Sequence, residues 1–462
     1  MTDVTSKKGN RLTLYIIIGL VAGIALGFWF NGSYVKSENN QIITLESSLR
    51  SIQGQLLAIK DTNTGNYHSL TSLKAQLIAN KGKLVEARDA KLEPFSLLAD
   101  IFLRLIKMII APLVFTTLVV GVAKLGDIKS VGRIGGKTLF WFICASFTSL
   151  FLGMLLVNSF KPGIAMHLSL PDSIADTGIK KTALSLREFL YHVFPTSIID
   201  AMAKNEILQI VIFALFFGVG TAAIGERGAI IIKSMDAFAH VILKVTGYVM
   251  KLAPVAVFGA ITAVIAKQGL GILSTYSIFI GEFYTGLILL WIILFLAGSL
   301  FIGKRVFTLM RHIKEPALLA FSTSTSEAAF PKLLLELERF GCPNKIVSFV
   351  LPLGYSFNLD GSMMYMTFAS LFIAQAYGIH LDIGTQMTML LVLMLTSKGI
   401  AGVPRAALVV IAGTLATFKI PEAGIALLLG IDPLLDMGRS ATNVIGNSIA
   451  TAVVSKWENE HT

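Results

Sequence analysis

An all-α integral membrane protein is the fold class this sequence predicts, and three observations predict it. The 462 residues are 54% hydrophobic and only 15% charged, against roughly 25% charged in soluble domains. Apolar runs near 12–30, 98–123, 138–159, 189–221, 229–265 and 276–302 mostly reach the length of about 20 residues that a helix needs to cross a hydrocarbon core. Basic residues gather in alternate short loops. Lys7, Lys8 and Arg11 precede the first run, Lys124, Lys129, Arg133 and Lys137 separate the second from the third, and Lys304, Arg305, Arg311 and Lys314 follow the sixth. Under the positive-inside rule this alternation puts the N-terminus in the cytoplasm. The formal charge of +11 therefore reports topology, and no nucleic-acid partner is expected.

The first run, Leu12 to Phe30, has basic flanks but no small-residue cleavage site, so it reads as a retained helix rather than a signal peptide. Its glycines at 19, 23 and 27 recur every fourth residue, which permits close packing against a second helix. Residues 31–95 leave this pattern. Leu45, Leu49, Ile52, Leu56 and Ile59, then Leu70, Leu73, Leu77 and Leu84, follow heptad spacing on either side of a turn-forming stretch, Asp61-Thr-Asn-Thr-Gly65-Asn. An antiparallel coiled-coil hairpin outside the cytoplasm is the simplest reading, either touching a neighbouring subunit or standing in solvent. Pro112, Pro195 and Pro254 lie inside long apolar spans and predict kinks or tilts. Cys144 in an apolar helix and Cys342 in a Gly-Cys-Pro loop predict neither a disulfide framework nor a metal site.

Beyond residue 305 the apolar stretches shorten and polar tracts interrupt them. These are Phe321-Ser-Thr-Ser-Thr-Ser326-Glu327-Ala-Ala-Phe-Pro331, Gly354-Tyr-Ser356-Phe-Asn358-Leu-Asp360-Gly361-Ser362 and Thr396-Ser397-Lys-Gly399-Ile-Ala-Gly402-Val-Pro404-Arg405. Irregular backbone at membrane depth is tolerated only where it is buried in protein or lines a cavity. The alternative for each tract is an ordinary loop, but three in succession favour one shared site. Asn358 and Asp360, flanking a break that ends in Gly361, offer hard oxygen ligands for a small cation. The last segment, Asp432 to Asn447, is the most polar of all. Asp436, Arg439, Asn443 and Asn447 are spaced three, four and four apart, which stacks them on one helical face. Ionisable groups in a membrane usually line a substrate pathway, although Asp436 and Arg439 alone could be a structural ion pair. The seven histidines form no metalloprotease motif and no nucleophile–base pair stands out, so an enzyme is not expected. A repeated pore helix and filter is likewise missing, which disfavours a channel.

These tracts resemble the dicarboxylate/amino acid:cation symporter family, whose members include bacterial glutamate symporters and excitatory amino acid transporters. The resemblance is carried by Ser324-Thr-Ser-Glu-Ala-Ala-Phe-Pro331, Asn358-Leu-Asp-Gly361, Gly399-Ile-Ala-Gly-Val-Pro404 and Asp436-Met-Gly-Arg439 through Asn443. Ile109-Ile-Ala-Pro112-Leu-Val-Phe115 and Pro195-Thr-Ser through Asn205-Glu-Ile-Leu-Gln209 extend it to earlier helices. It implies eight transmembrane helices plus two re-entrant helical hairpins, related by inverted repeats and working as an elevator. The implied division begins with the first transmembrane helix within 1–30, the insertion 31–95 and the second, scaffold helix within 96–137. A third, transport-domain helix and its loop occupy 138–188, and scaffold helices four and five occupy 189–275. The transport-domain core 276–462 holds helix six, hairpin one (306–341), helix seven (346–378), hairpin two (384–420) and helix eight (422–456). A homotrimer in the bacterial inner membrane, with both termini cytoplasmic, is implied.

The resemblance also implies roles. Arg439 would bind the substrate's side-chain carboxylate, Asp436 its α-amino group and Asn443 its main-chain carboxylate. Ser362 and Ser440 would stand where hydroxyls line the pocket, Thr325 and Ser326 would meet the α-carboxylate, and Val403 would close over it. Gly354, Ser356, Asn358, Asp360, Asn443 and Asn447 would form cation sites, with Ser397 and Ile400 supplying backbone ligands under the second hairpin. Asn447 replaces an aspartate of sodium-dependent members, and Met366 stands where mammalian members carry a protonatable glutamate. Glu327 is then a candidate proton site, the alternative being a capping or solvated acid. Arg405 and Ala407 depart from a glycine pattern, and Arg405 reads as solvent-facing. No bound cofactor is expected, only co-transported sodium, protons or both. The expected activity is uptake of L-glutamate or L-aspartate, the alternative being proton-coupled uptake of C4-dicarboxylates, whose branch usually lacks the aspartate at position 436.

Overall fold

The structure is a computed structural model that describes residues 3–58, 65–125, 128–166, 193–268, 276–397, 406–429 and 431–458. Every regular element among them is helical. The helices are α1 (Asp3–Gly32), α2 (Lys36–Ala58), α3 (Gly65–Leu125), α4 (Ile128–Phe160), α5 (Ile198–Lys204), α6 (Ile207–Ala223), α7 (Ala229–Val249) and α8 (Ala253–Gln268). They continue as α9 (Ser277–Ile302), α10 (Arg305–Thr323), α11 (Phe330–Phe340), α12 (Asn344–Phe357), α13 (Asp360–Ala376), α14 (Ile383–Thr396), α15 (Ala406–Thr417) and α16 (Asp432–Trp457). Five helical stretches among the described residues are long and apolar enough to span a bilayer: Leu14–Gly32, Gly65–Ala123, Lys129–Ala165, Gly225–Lys267 and Ser277–Ile302. Leu14, Val21 and Phe28 of α1 and Ile288, Leu296 and Leu300 of α9 point outward, exposed apolar surface of the kind that faces lipid. The molecule is a multi-pass helical membrane bundle.

Packing follows from small residues. A Cβ at Gly19, Gly23 or Gly27 would collide with Pro254, Phe258 or Thr262 and Ile265, so the glycine stripe of α1 is the groove that seats α8. Asn31 and Asn39 close the same corner, both donating to the Ala266 carbonyl at 2.9 and 3.0 Å. The heptad-patterned segment forms two helices in contact, α2 and the first part of α3, but its returning arm runs unbroken into the second span. Ile59 and the turn from Asp61 lie outside the described residues. Lys91 binds Glu38 at 2.5 Å and Lys81 binds Glu46 at 2.7 Å across the pair.

Two apolar runs are irregular. The run at 189–221 does not form one span: α5 ends at Asn205 in the left-handed region (φ 55°) and α6 starts afresh at Ile207. The run at 229–265 tightens into the 3-10 turn Met250–Leu252 ahead of Pro254, while the backbone stays right-handed helical. Pro254 lacks the N–H that would continue the ladder, so the hydrogen bonding shifts there within one helical stretch.

The polar tracts mark breaks. α10 and α11 fold back on each other through Ser324, which is left-handed (φ 52°), and the short 3-10 turn Glu327–Ala329. α12 and α13 are separated by Asn358 and Leu359. The helix expected over 422–456 begins at Asp432, because residues Glu422–Leu429 form two single turns ahead of it. α16 is buried along almost its whole length between α9, α10, α12 and α13. Trp291 donates to the Thr442 hydroxyl at 2.7 Å and Tyr284 to the Leu434 carbonyl at 2.6 Å, fixing α9 against it.

Candidate functional site

The site forms where α16 passes the break between α12 and α13. Arg439 is only 2% exposed. Its Nη2 lies 3.1 Å from Asp432 and 2.9 Å from Asp436, and its guanidinium sits 4.1 Å above the Tyr365 ring. The Tyr365 hydroxyl donates to the same Asp432 oxygen at 3.2 Å. Taking a guanidinium out of water costs several kcal/mol, which these two carboxylates and the ring face offset. Nε and Nη1 of Arg439 are buried and have no hydrogen-bond partner among the described residues. An unspent pair of donors on a fixed cation is what a carboxylate ligand requires. Asp432 is nearly sealed, whereas Asp436 keeps 37% of its side chain exposed.

One helical turn further along, Asn443 reaches across to α13. Its Oδ1 accepts from the Gly361 and Ser362 amides at 3.0 and 3.4 Å, and its Nδ2 donates to the Ser362 hydroxyl at 3.3 Å. The open N-terminus of α13 is thereby capped by a neighbouring helix. Asn447, another turn on, meets the break itself. Asn358 donates from one Nδ2 to Asp360 at 3.0 Å and to Asn447 at 3.2 Å, and Ser149 of α4 donates to the other Asp360 oxygen at 3.3 Å. Asn358 Oδ1 and the Ser356 hydroxyl are buried without partners. Orphaned oxygens beside a buried carboxylate suit a small hard cation. A Cβ at Gly354 would overlap the Asn447 amide, and one at Gly446 would overlap the Asp360 carboxylate, so only glycine lets these walls close.

The first hairpin tip leans on the same end of α16. The Ser324 hydroxyl donates to the Pro433 carbonyl at 3.4 Å and the Tyr355 hydroxyl to the Ser326 carbonyl at 2.9 Å. Thr325 and Ser326 are therefore held beside the acidic start of α16, while Ser440 is buried on α16 itself. Ser397 caps α14 and is buried. Ile400, Val403 and Arg405 lie outside the described residues. Glu327 sits apart, in a cavity with Ile110, Val114, Ile207, Phe330 and Tyr355.

The structure thus gathers the predicted residues of α12, α13 and α16 and adds three partners that sequence reading did not assign. Asp432 stands seven residues before Arg439, two helical turns, so its spacing carried the signal. Tyr365 and Ser149 arrive from α13 and α4, and no local pattern announces them.

A sealed guanidinium with free donors, next to an amide and carboxylate cage, suits a small anion beside a small cation. The sequence model described as "Sodium:dicarboxylate symporter family" matches residues 12–457. The chain belongs to that family, whose members are transporters and not enzymes. It is 42% identical to a C4-dicarboxylate transport protein of Laribacter hongkongensis over 372 residues, 78% of this chain and 83% of that one. A C4-dicarboxylate transport protein of Rhizobium etli is 42% identical over 79% of this chain and 83% of its own length. A proton/sodium-glutamate symport protein of Geobacillus stearothermophilus is also 42% identical, over 79% of this chain and 88% of that one. Cation-coupled symport of a small anionic solute is the activity these relationships support.

Proposed function

We propose that the chain carries C4-dicarboxylates such as succinate, fumarate or malate across the membrane with cations. One observation carries the proposal: Arg439 is buried with Nε and Nη1 unspent, while its Nη2 already holds Asp436 in an ion pair. A substrate without an amine needs the guanidinium and leaves that pair intact. Several relatives of this similarity are named as C4-dicarboxylate transport proteins. Coupling follows from charge. Asp432 and Asp436 face the Arg439 guanidinium and Asp360 lies in the neighbouring cage, three carboxylates to one buried cation, so a dianion enters only with cations that offset them.

A second reading, uptake of L-glutamate or L-aspartate, is favoured by Asp436. Its exposed oxygen is available to a substrate ammonium, and Asp432 would keep Arg439 in place when Asp436 turned to it. In either reading Thr325, Ser326, Ser362, Val403, Ser440 and Asn443 complete the pocket. Gly354, Ser356, Asn358, Asp360, Ser397, Ile400, Asn443 and Asn447 contribute to cation sites for sodium or protons. The wider frame is a homotrimeric elevator of eight transmembrane helices and two re-entrant hairpins, with cytoplasmic termini. Helices α1, α3 and α5 to α8 belong to its static part, and α4 and α9 to α16 to its moving part.

Uptake of labelled succinate, L-aspartate and L-glutamate into proteoliposomes, under sodium and proton gradients imposed separately, tests the proposal. Succinate uptake that survives Asp436→Ser supports the dicarboxylate reading. Amino acid uptake abolished by that substitution replaces it with the second.

A further inference from the structure

The first hairpin tip carries a carboxylate that neither the anion site nor the cation cage uses. Glu327 opens the turn Glu327–Ala329 and lines a cavity whose other walls are Ile110 and Val114 of α3, Ile207 of α6, Phe330 of α11 and Tyr355 of α12. Among the described residues its carboxylate makes no hydrogen bond or ion pair. The groups that reach it electrically are Lys107 from α3 and the phenol of Tyr355, whose hydroxyl is already donated to Ser326. Among the described residues, α6, α10 and α11 bring no charged group that acts on it.

We propose that Glu327 is a proton carrier of this transporter, neutral while the tip lies against α3 and α6 and ionised where the tip meets water. The inference rests on the elevator reading, in which α10 and α11 slide along those two helices. An unpaired carboxylate dragged along an apolar wall loses hydration that the Lys107 charge only partly replaces. The same group with a proton on one oxygen crosses at far lower cost. It takes that proton from water on one side and returns it to water on the other. The proton travels in addition to any cation held at Asn358 and Asp360, and it explains how a chain with Asn447 in its cage could still couple transport to pH.

Glu327→Gln fixes the side chain in its neutral state. In proteoliposomes the variant is expected to exchange substrate while losing at least tenfold in substrate-driven acidification of the lumen, read with a trapped dye. Val114→Thr offers a hydroxyl to the ionised form, and the pH midpoint of its uptake should lie below that of wild type. A purely structural Glu327 would leave that midpoint in place. Proton transport retained in Glu327→Gln, or an unmoved midpoint in Val114→Thr should the first variant not fold, overturns the proposal. The infrared carbonyl band of a protonated carboxylic acid, present in wild type at neutral pH and lost in Glu327→Gln, needs no substrate. It separates this inference from the substrate reading: if wild type transports neither dicarboxylate nor amino acid, that reading fails and the band still decides Glu327.

Discussion

At the scale of single residues, Arg439 sets what the site can hold. Its position between two carboxylates and over Tyr365 fixes the guanidinium plane before any ligand arrives. Lysine keeps the charge but cannot present a planar fork. Arg439→Lys should weaken dicarboxylate binding roughly tenfold to a hundredfold, matching one charge-assisted hydrogen bond of about 1.5–3 kcal/mol. Titration calorimetry on purified protein measures it. The Asp436, Arg439, Asn443 and Asn447 stripe was legible because a helix repeats its face every three or four residues. Tyr365 and Ser149 were not, since contacts between distant helices leave no trace in local spacing. Asp432 lay in plain view on the stripe, but its acid was redundant with Asp436 until both were seen on one nitrogen.

Helices and their junctions carry the next set of consequences. Arg133 and Lys137 of α4 clasp Glu458 just past α16, at 2.9 and 2.7 Å, and Lys137 also donates to the Trp457 carbonyl at 2.7 Å. Trp457 packs edge-on against Trp141 and Phe301 beside them. Partial burial pushes the Glu458 carboxyl up, but hydrogen bonds from Arg133 and Lys137 and their charges outweigh it and hold it below its ordinary value of 4.5. A depressed folded value means that the unfolded chain binds the proton more readily. The clasp therefore contributes fully above pH 4.5 and fades as pH falls through the lower folded value. Thermal unfolding in detergent should show wild type more stable than Glu458→Gln at pH 7, with the gap closing in acid. Element identity was legible wherever apolar length or polar interruption was strong, as in α1, α9 and the broken pairs. The run at 189–221 misled because Asn205 interrupts the helix without interrupting the apolarity.

For the whole molecule, the helical pair formed by α2 and the start of α3 is the least integrated part. Its base is anchored through Val35, Leu92, Phe30 and Ala266, together with Asn39 and the Lys91–Glu38 pair. Its outer portion has Ile43 and Ile78 exposed, with the Lys81–Glu46 bridge as a polar cross-link. Replacing residues 44–82 by a short turn should leave substrate uptake within about twofold of wild type, since truncation is tolerated where the removed backbone is exposed and the anchored base is kept. A larger loss, with the protein still folded, would assign that segment a working role. The family and bundle were legible from ordered motifs across the chain, whereas the continuity of α3 through Pro94 was not, because proline usually ends such a helix.

Asp432 and Asp436 beside one guanidinium, with Asp360 in the adjoining cage, have an electrical consequence. Once cargo has departed, the empty carrier retains a net excess of negative charge. An inside-negative membrane potential pushes that excess outward, by about 2.3 kcal/mol per elementary charge for each ~100 mV. The resetting half of the cycle would then be the voltage-sensitive one, and the loaded half close to electroneutral. Voltage jumps on a supported membrane should give transient currents without substrate, and saturating dicarboxylate should suppress them.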